Sequence, residues 1–103
     1  MRRGEICWAE LDPPAGQRPV VLLSRNEAYA IRALVTVAPV TTRIRRIRSE
    51  LPLDRGDGLP KPCVANLDSI ITIPKAGLRE RIAALSPEKV GALDAAIRFA
   101  LGL

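Results

Sequence analysis

The chain has 103 residues, and a chain of this length buries only about two-thirds of its unfolded surface, so one core and one domain, 1–103, are expected. Hydrophobic residues make up 48% and charged residues 26%, which excludes a disordered tail or a fibre, while three aromatics, Trp8, Tyr29 and Phe99, exclude RNA binding through a series of stacked rings. A net charge of +5 and a pI near 10.0 favour a polyanionic partner.

With only Cys7 and Cys63 and no histidine, neither a zinc site nor a thioredoxin-type pair is available, and both thiols are expected to be reduced and buried. No apolar run approaches the ~20 residues that span a bilayer. The opening Met1-Arg2-Arg3-Gly4-Glu5 is not a signal peptide, which makes the cytoplasm the expected address.

Gly4 to Leu11 reads as a first strand, with Ile6 and Trp8 on one face and Cys7, Ala9 and Leu11 on the other. Asp12-Pro13-Pro14-Ala15-Gly16 breaks it. Arg18 to Ser24 is an apolar run of strand length whose proline stands where a strand tolerates one. Arg25 to Arg32 is ambiguous, polar and then mildly helical, and Ala33 to Thr41 returns to strand character, Pro39 marking an edge, a bulge or a strand end.

Arg43-Ile44-Arg45-Arg46-Ile47-Arg48 is the densest basic stretch, expected to form a cationic loop before a short strand in Glu50 to Asp54. After the turn-forming Arg55 to Gly58, Cys63 to Leu67 and Ile70 to Ile73 read as strands, the second ended by Pro74. Ser86-Pro87-Glu88 is a helix start, Gly102 ends that helix, and Val90, Leu93, Ile97 and Leu101 form its core-facing stripe. Five or six short strands and a terminal helix predict a mainly β fold, a small, partly open antiparallel barrel.

The absence of histidine removes the usual ribonuclease acid/base pair, Ser-His and Cys-His nucleophiles and most zinc hydrolases. There is no phosphate-binding glycine loop, no dinucleotide fingerprint and no carboxylate run for paired magnesium ions. RNA remains a special substrate, because its own 2′-hydroxyl attacks the adjacent phosphate once it is held in line and the added negative charge is stabilised. Arg18 on one strand and Thr41 and Thr42 at the end of another are candidates to converge on such a phosphate. Spacing alone favours the plainer assignment, in which Arg18 is a surface or capping residue and the threonines are ordinary strand residues.

Four blocks bear on that choice. Arg3-Gly4-Glu5-Ile6-Cys7-Trp8 through Leu11-Asp12-Pro13 resembles the opening of the MazF/PemK toxins of type II toxin–antitoxin systems, and Arg18-Pro19-Val20-Val21-Leu22-Leu23-Ser24 their second strand. Val37-Ala38-Pro39-Val40-Thr41-Thr42 is similar to the third-strand motif, and Asn66 to Ile73 stands where the family carries an acidic-Gln-Ile-x-Thr/Ser-Ile pattern. The helix start Leu85-Ser86-Pro87 also matches, so that the resemblance covers nearly the whole chain.

The resemblance implies a barrel of Src-homology-3-like type, a homodimer, and a sequence-selective endoribonuclease that cleaves single-stranded RNA without metal or cofactor, leaving 2′,3′-cyclic phosphate and 5′-hydroxyl ends, and that a cognate antitoxin restrains. By motif position Arg18 and Thr41 are its catalytic residues, with Ser24, Thr42 and Asp68 positioning RNA. Because an arginine with a pKa above about 12 is a poor proton shuttle, Arg18 is expected to stabilise charge. Arg43, Arg45, Arg46 and Arg48 are candidate phosphate contacts, although a charge run is often a solvated face. The loop Pro14 to Gln17 is shorter than the common family form, and Ser69 replaces the usual glutamine. Two alternatives share this fold: a gyrase-inhibiting toxin and a non-catalytic module that binds RNA or antitoxin.

Overall fold

Apolar residues that occur in adjacent pairs, such as Ile6-Cys7, Val20-Val21 and Val37-Ala38, demand strands buried on both faces, and the computed structural model, which describes residues 1–103, provides them. Seven strands form in chain order: β1 Glu5–Glu10, β2 Gln17–Leu22, β3 Leu34–Thr41, β4 Glu50–Leu53, β5 Cys63–Asn66, β6 Ile71–Pro74 and β7 Leu78–Ala84. A short helix α1, Ala28–Ile31, precedes β3, and α2, Pro87–Leu101, follows β7. Every ladder is antiparallel, in the order β4-β5-β3-β2-β1-β7, with β6 also paired to β3. The result is the partly open, curled barrel expected.

The two faces of the β1-β2-β3 sheet bury different residues. Ile6, Val21, Ala38 and Val40 join Leu51, Leu53 and Leu93 under α2, while Cys7, Ala9, Val20, Leu22 and Val37 pack with Tyr29 of α1 and Ile73 of β6. The expected division of the first strand therefore holds, and both cysteines are free and buried. Leu93 is fully buried, and its truncation to alanine removes about 2–5 kcal/mol.

Pro39 does not lie on an edge. β3 is central, and it exchanges neighbours around Pro39: Leu34 to Val37 pair with β6, and Val40 and Thr41 pair with β5. A residue without an N–H suits the gap between two ladders.

Two expectations are corrected. β7 was missing from the predicted five or six strands, because Leu78-Arg79-Glu80-Arg81 has one buried residue in four and lacks an apolar rhythm. Its pairing with β1, interrupted by two register shifts, and the Arg81–Glu5 ion pair at 3.0 Å hold it at the sheet edge. In α2 the stripe ends early: Leu93 and Ala96 are buried with Val90 and Ile97 packed beside them, but Leu101 is 59% exposed, since the helix runs past the barrel. Ser86 caps α2 by accepting the Lys89 N–H, and Gly102 closes it with φ +72°, as expected.

Candidate active site

β2 and β3 carry Arg18 and Thr41 to the same end of the sheet. The β2–β3 ladder ends with Val20 opposite Pro39, and Arg18 and Thr41 lie two residues beyond that pair on their strands. Arg18 is half-buried, and its Nε is buried without a hydrogen-bond partner. Most buried donors are satisfied, and the Arg18 Nε, like the buried Tyr29 hydroxyl, is left without a partner within the protein. The side chain borders an open depression of about 480 Å³ with Leu11, Pro14, Ala15, Pro39, Ser69 and Ile71. The shortened loop and the substituted Ser69 noted in the sequence thus lie beside Arg18.

Thr41 and Thr42 border the neighbouring cavity, about 240 Å³, together with Trp8, Pro19, Val40, Leu59, Pro60, Lys61, Cys63 and Ile82. The Thr41 hydroxyl accepts the Arg43 N–H at 3.2 Å, which leaves its own proton free to donate outward. Arg18 and Thr41 therefore share a rim but face different hollows.

Ser24 is not brought to this rim. It lies six residues beyond Arg18, about 20 Å along an extended chain, and its hydroxyl accepts the Thr36 N–H at 2.8 Å, pinning the far end of β2 to β3. Asp68 sits in the 3₁₀ turn Leu67–Ser69 between β5 and β6, where its carboxylate accepts the buried Ser49 hydroxyl at 2.6 Å.

The Arg43–Arg48 stretch is an exposed loop without regular structure. Arg48 stacks over the Phe99 ring of α2 at 4.4 Å, whereas Arg43, Arg45 and Arg46 make no ion pair. The loop is anchored from below, because Glu50 Oε1 accepts the N–H groups of Arg45 at 2.9 Å and Arg46 at 3.1 Å.

Neither cysteine offers a nucleophile. Burial pushes both thiols above their ordinary pKa, reinforced by Glu5 for Cys7 and by Asp57 and Asp54 for Cys63. Nowhere do three His, Cys, Asp or Glu side chains gather.

Sequence reasoning missed Trp8 and Lys61 as neighbours of Thr41, and Ser49 and Glu50 as supports of the basic loop. Glu50 had a visible signal: it is the one carboxylate between Glu27 and Asp54, and only Ser49 separates it from the arginine run. Lys61 had none, since it lies between the turn-forming Arg55 to Gly58 and the strand from Cys63, in a stretch without a pattern of its own.

Comparison with known proteins agrees over nearly the full length. The model of the PemK-like, MazF-like toxins of type II toxin–antitoxin systems matches residues 2–101. "Probable endoribonuclease MazF5" of Mycobacterium tuberculosis is 38% identical over 100 residues, covering 96% of this chain and 91% of that protein. "Probable endoribonuclease MazF2" of the same species is 40% identical over 104 residues, covering 99% of each. Among solved structures, the M. tuberculosis toxin MazF-mt6 superposes with a TM-score of 0.89 at 37% identity, over 96% of this chain and 97% of that one. A mycobacterial endoribonuclease in complex with its cognate antitoxin gives 0.87 at 27% identity, over 100% and 96%.

Proposed function

Because the chain belongs to the family of PemK-like, MazF-like toxins of type II toxin–antitoxin systems, we propose that it is an endoribonuclease that cuts single-stranded RNA at selected sequences. In this reading the RNA 2′-hydroxyl attacks the adjacent phosphorus, the bond to the 5′-oxygen breaks, and a 2′,3′-cyclic phosphate and a 5′-hydroxyl result. Arg18 stabilises the charge that builds on the phosphorane oxygens, and Thr41, which lines the adjoining hollow, donates its hydroxyl proton to the same phosphate across the shared rim. Neither role needs a metal or cofactor.

The observation that carries this reading is the unpartnered, buried Nε of Arg18 at the rim it shares with Thr41. A structural arginine is ordinarily satisfied by carboxylates or carbonyls, as Arg3 is by Asp94 at 2.7 Å and the Leu23 carbonyl at 3.1 Å. Arg18 has no such partner, and a phosphate supplies one. Thr42, Arg43, Arg45 and Arg46 extend the cationic rim for flanking phosphates. Ser24, Arg48 and Asp68 are already engaged within the protein, and any contribution they make to RNA binding is by holding the framework.

The domain 1–103 acts as one unit in the cytoplasm; no helix is long and apolar enough to cross a membrane. A symmetric homodimer lengthens the basic groove, and a cognate antitoxin restrains the enzyme, as one binds the mycobacterial structural relative. Single-turnover cleavage of a single-stranded RNA tests the assignment. Arg18→Ala and Thr41→Ala are each expected to lose about a hundredfold or more in rate, roughly 3 kcal/mol, and undiminished cleavage by either variant overturns that residue's role.

A further inference from the structure

Glu50 is the most unusual charged group outside the Arg18–Thr41 rim. It is 6% exposed, makes no ion pair, and has two neighbouring backbone N–H groups, from Arg45 and Arg46, on one oxygen. Arg46 adopts φ +59°, a left-handed conformation that residues other than glycine occupy at a cost. Successive N–H groups around a left-handed residue form a cradle for an anion, and here the chain fills the cradle with its own carboxylate. The Glu50 N–H in turn donates to the Ile47 carbonyl at 3.0 Å, closing the loop onto the start of β4.

We infer that Glu50 is a positioning residue for the ribonuclease: by occupying the Arg45–Arg46 cradle it fixes the loop so that the unpaired guanidinium groups of Arg43, Arg45 and Arg46 are arrayed for RNA before RNA arrives. This rests on the reading of that loop as a phosphate-binding rim. A loop ordered in advance loses less conformational freedom on binding, so the effect falls on RNA affinity and not on the chemical step. The carboxylate's contribution lies in accepting the two N–H groups, and a glutamine amide oxygen can do the same. A methionine keeps the volume but cannot.

The test combines amide hydrogen exchange with steady-state cleavage in the full-length wild type, Glu50→Gln and Glu50→Met. In the wild type the Arg45 and Arg46 amides are expected to exchange more slowly than those of Ile44 and Ile47, which have no partner. Glu50→Gln retains that protection and the wild-type KM. Glu50→Met loses it and raises KM for RNA about tenfold, with kcat changed by no more than about threefold.

Equal exchange of the four amides in the wild type overturns the inference without recourse to any variant, so a Glu50→Met protein that fails to fold does not protect it. Protection retained in Glu50→Met, or KM raised equally by the glutamine and methionine variants, also overturns it. Loss of protection with KM unchanged overturns the positioning role and traces the failure to the loop's part in RNA binding, while loss of cleavage in Arg18→Ala still upholds the nuclease itself.

Discussion

Ser49 donates its hydroxyl proton to the Asp68 carboxylate at 2.6 Å, joining the end of the arginine loop to the turn between β5 and β6. The Leu67 N–H donates to the Ser49 carbonyl at 2.9 Å, so two bonds cross the same gap. Ser49 is only 2% exposed and its partner is charged, which places this bond among the stronger ones. Ser49→Ala is expected to lower unfolding stability by about 1.5–3 kcal/mol, measured by denaturant titration. A loss below about 0.5 kcal/mol shows that water replaces the hydroxyl without cost.

Arg18 makes the opposite prediction for stability. A buried donor without a partner costs free energy in the folded state, and groups held for function often do. Arg18→Met preserves the apolar stem and removes the unsatisfied nitrogen. Its melting temperature is expected to equal or exceed that of the wild type while cleavage is lost; a drop of several degrees shows that Arg18 is structural.

Tyr29 governs part of the alkaline stability. Burial pushes its hydroxyl from 10.0 up to about 12. The folded state thus holds the proton more tightly than the unfolded chain, so the stability is complete below pH 10 and falls as pH rises from 10 to about 12. The two-unit difference sets the full loss at about 3 kcal/mol. Tyr29→Phe should flatten this window relative to the wild type, since both proteins retain Cys7 and Cys63, whose raised pKa values also weaken the fold at high pH. Denaturant midpoints at pH 9 and 11.5 measure it, and equal slopes in the two proteins contradict it.

The proposed binding of RNA by the loop predicts a salt signature. Each phosphate contact to a single strand contributes about 0.7 to the slope of log K against log salt. Arg45→Ala should therefore reduce the slope by about that amount, measured by fluorescence anisotropy with an RNA carrying a 2′-deoxy block at the cleaved position. An unchanged slope removes Arg45 from the interface.

The parts of this molecule that were legible in the sequence are those where local chemistry and tertiary structure agree. Val20, Val21 and Leu22 are apolar, the two valines β-branched, and lie at the sheet centre, and Ser86-Pro87 with Gly102 bound α2 as capping chemistry requires. β7 was hidden because its place is decided by β1 and by the Arg81–Glu5 pair, neither of which leaves a periodic pattern in Leu78 to Ala84. For the proposed site, Arg18 and Thr41 are assigned by motif position, whereas spacing alone favours ordinary roles. Glu50 stands out in the sequence as the lone carboxylate beside the arginine run, but which N–H groups it accepts, and the contact of Ser49 with Asp68, depend on how the loop turns back on itself.

The most direct measurement is incubation of the purified protein and Arg18→Ala with a long single-stranded RNA in EDTA, followed by end-group analysis of the fragments. Discrete cuts bearing 2′,3′-cyclic phosphate and 5′-hydroxyl ends, present for the wild type and absent for the variant, are the predicted result. Intact RNA, cleavage that survives in Arg18→Ala, or fragments with 5′-phosphate ends would contradict the account.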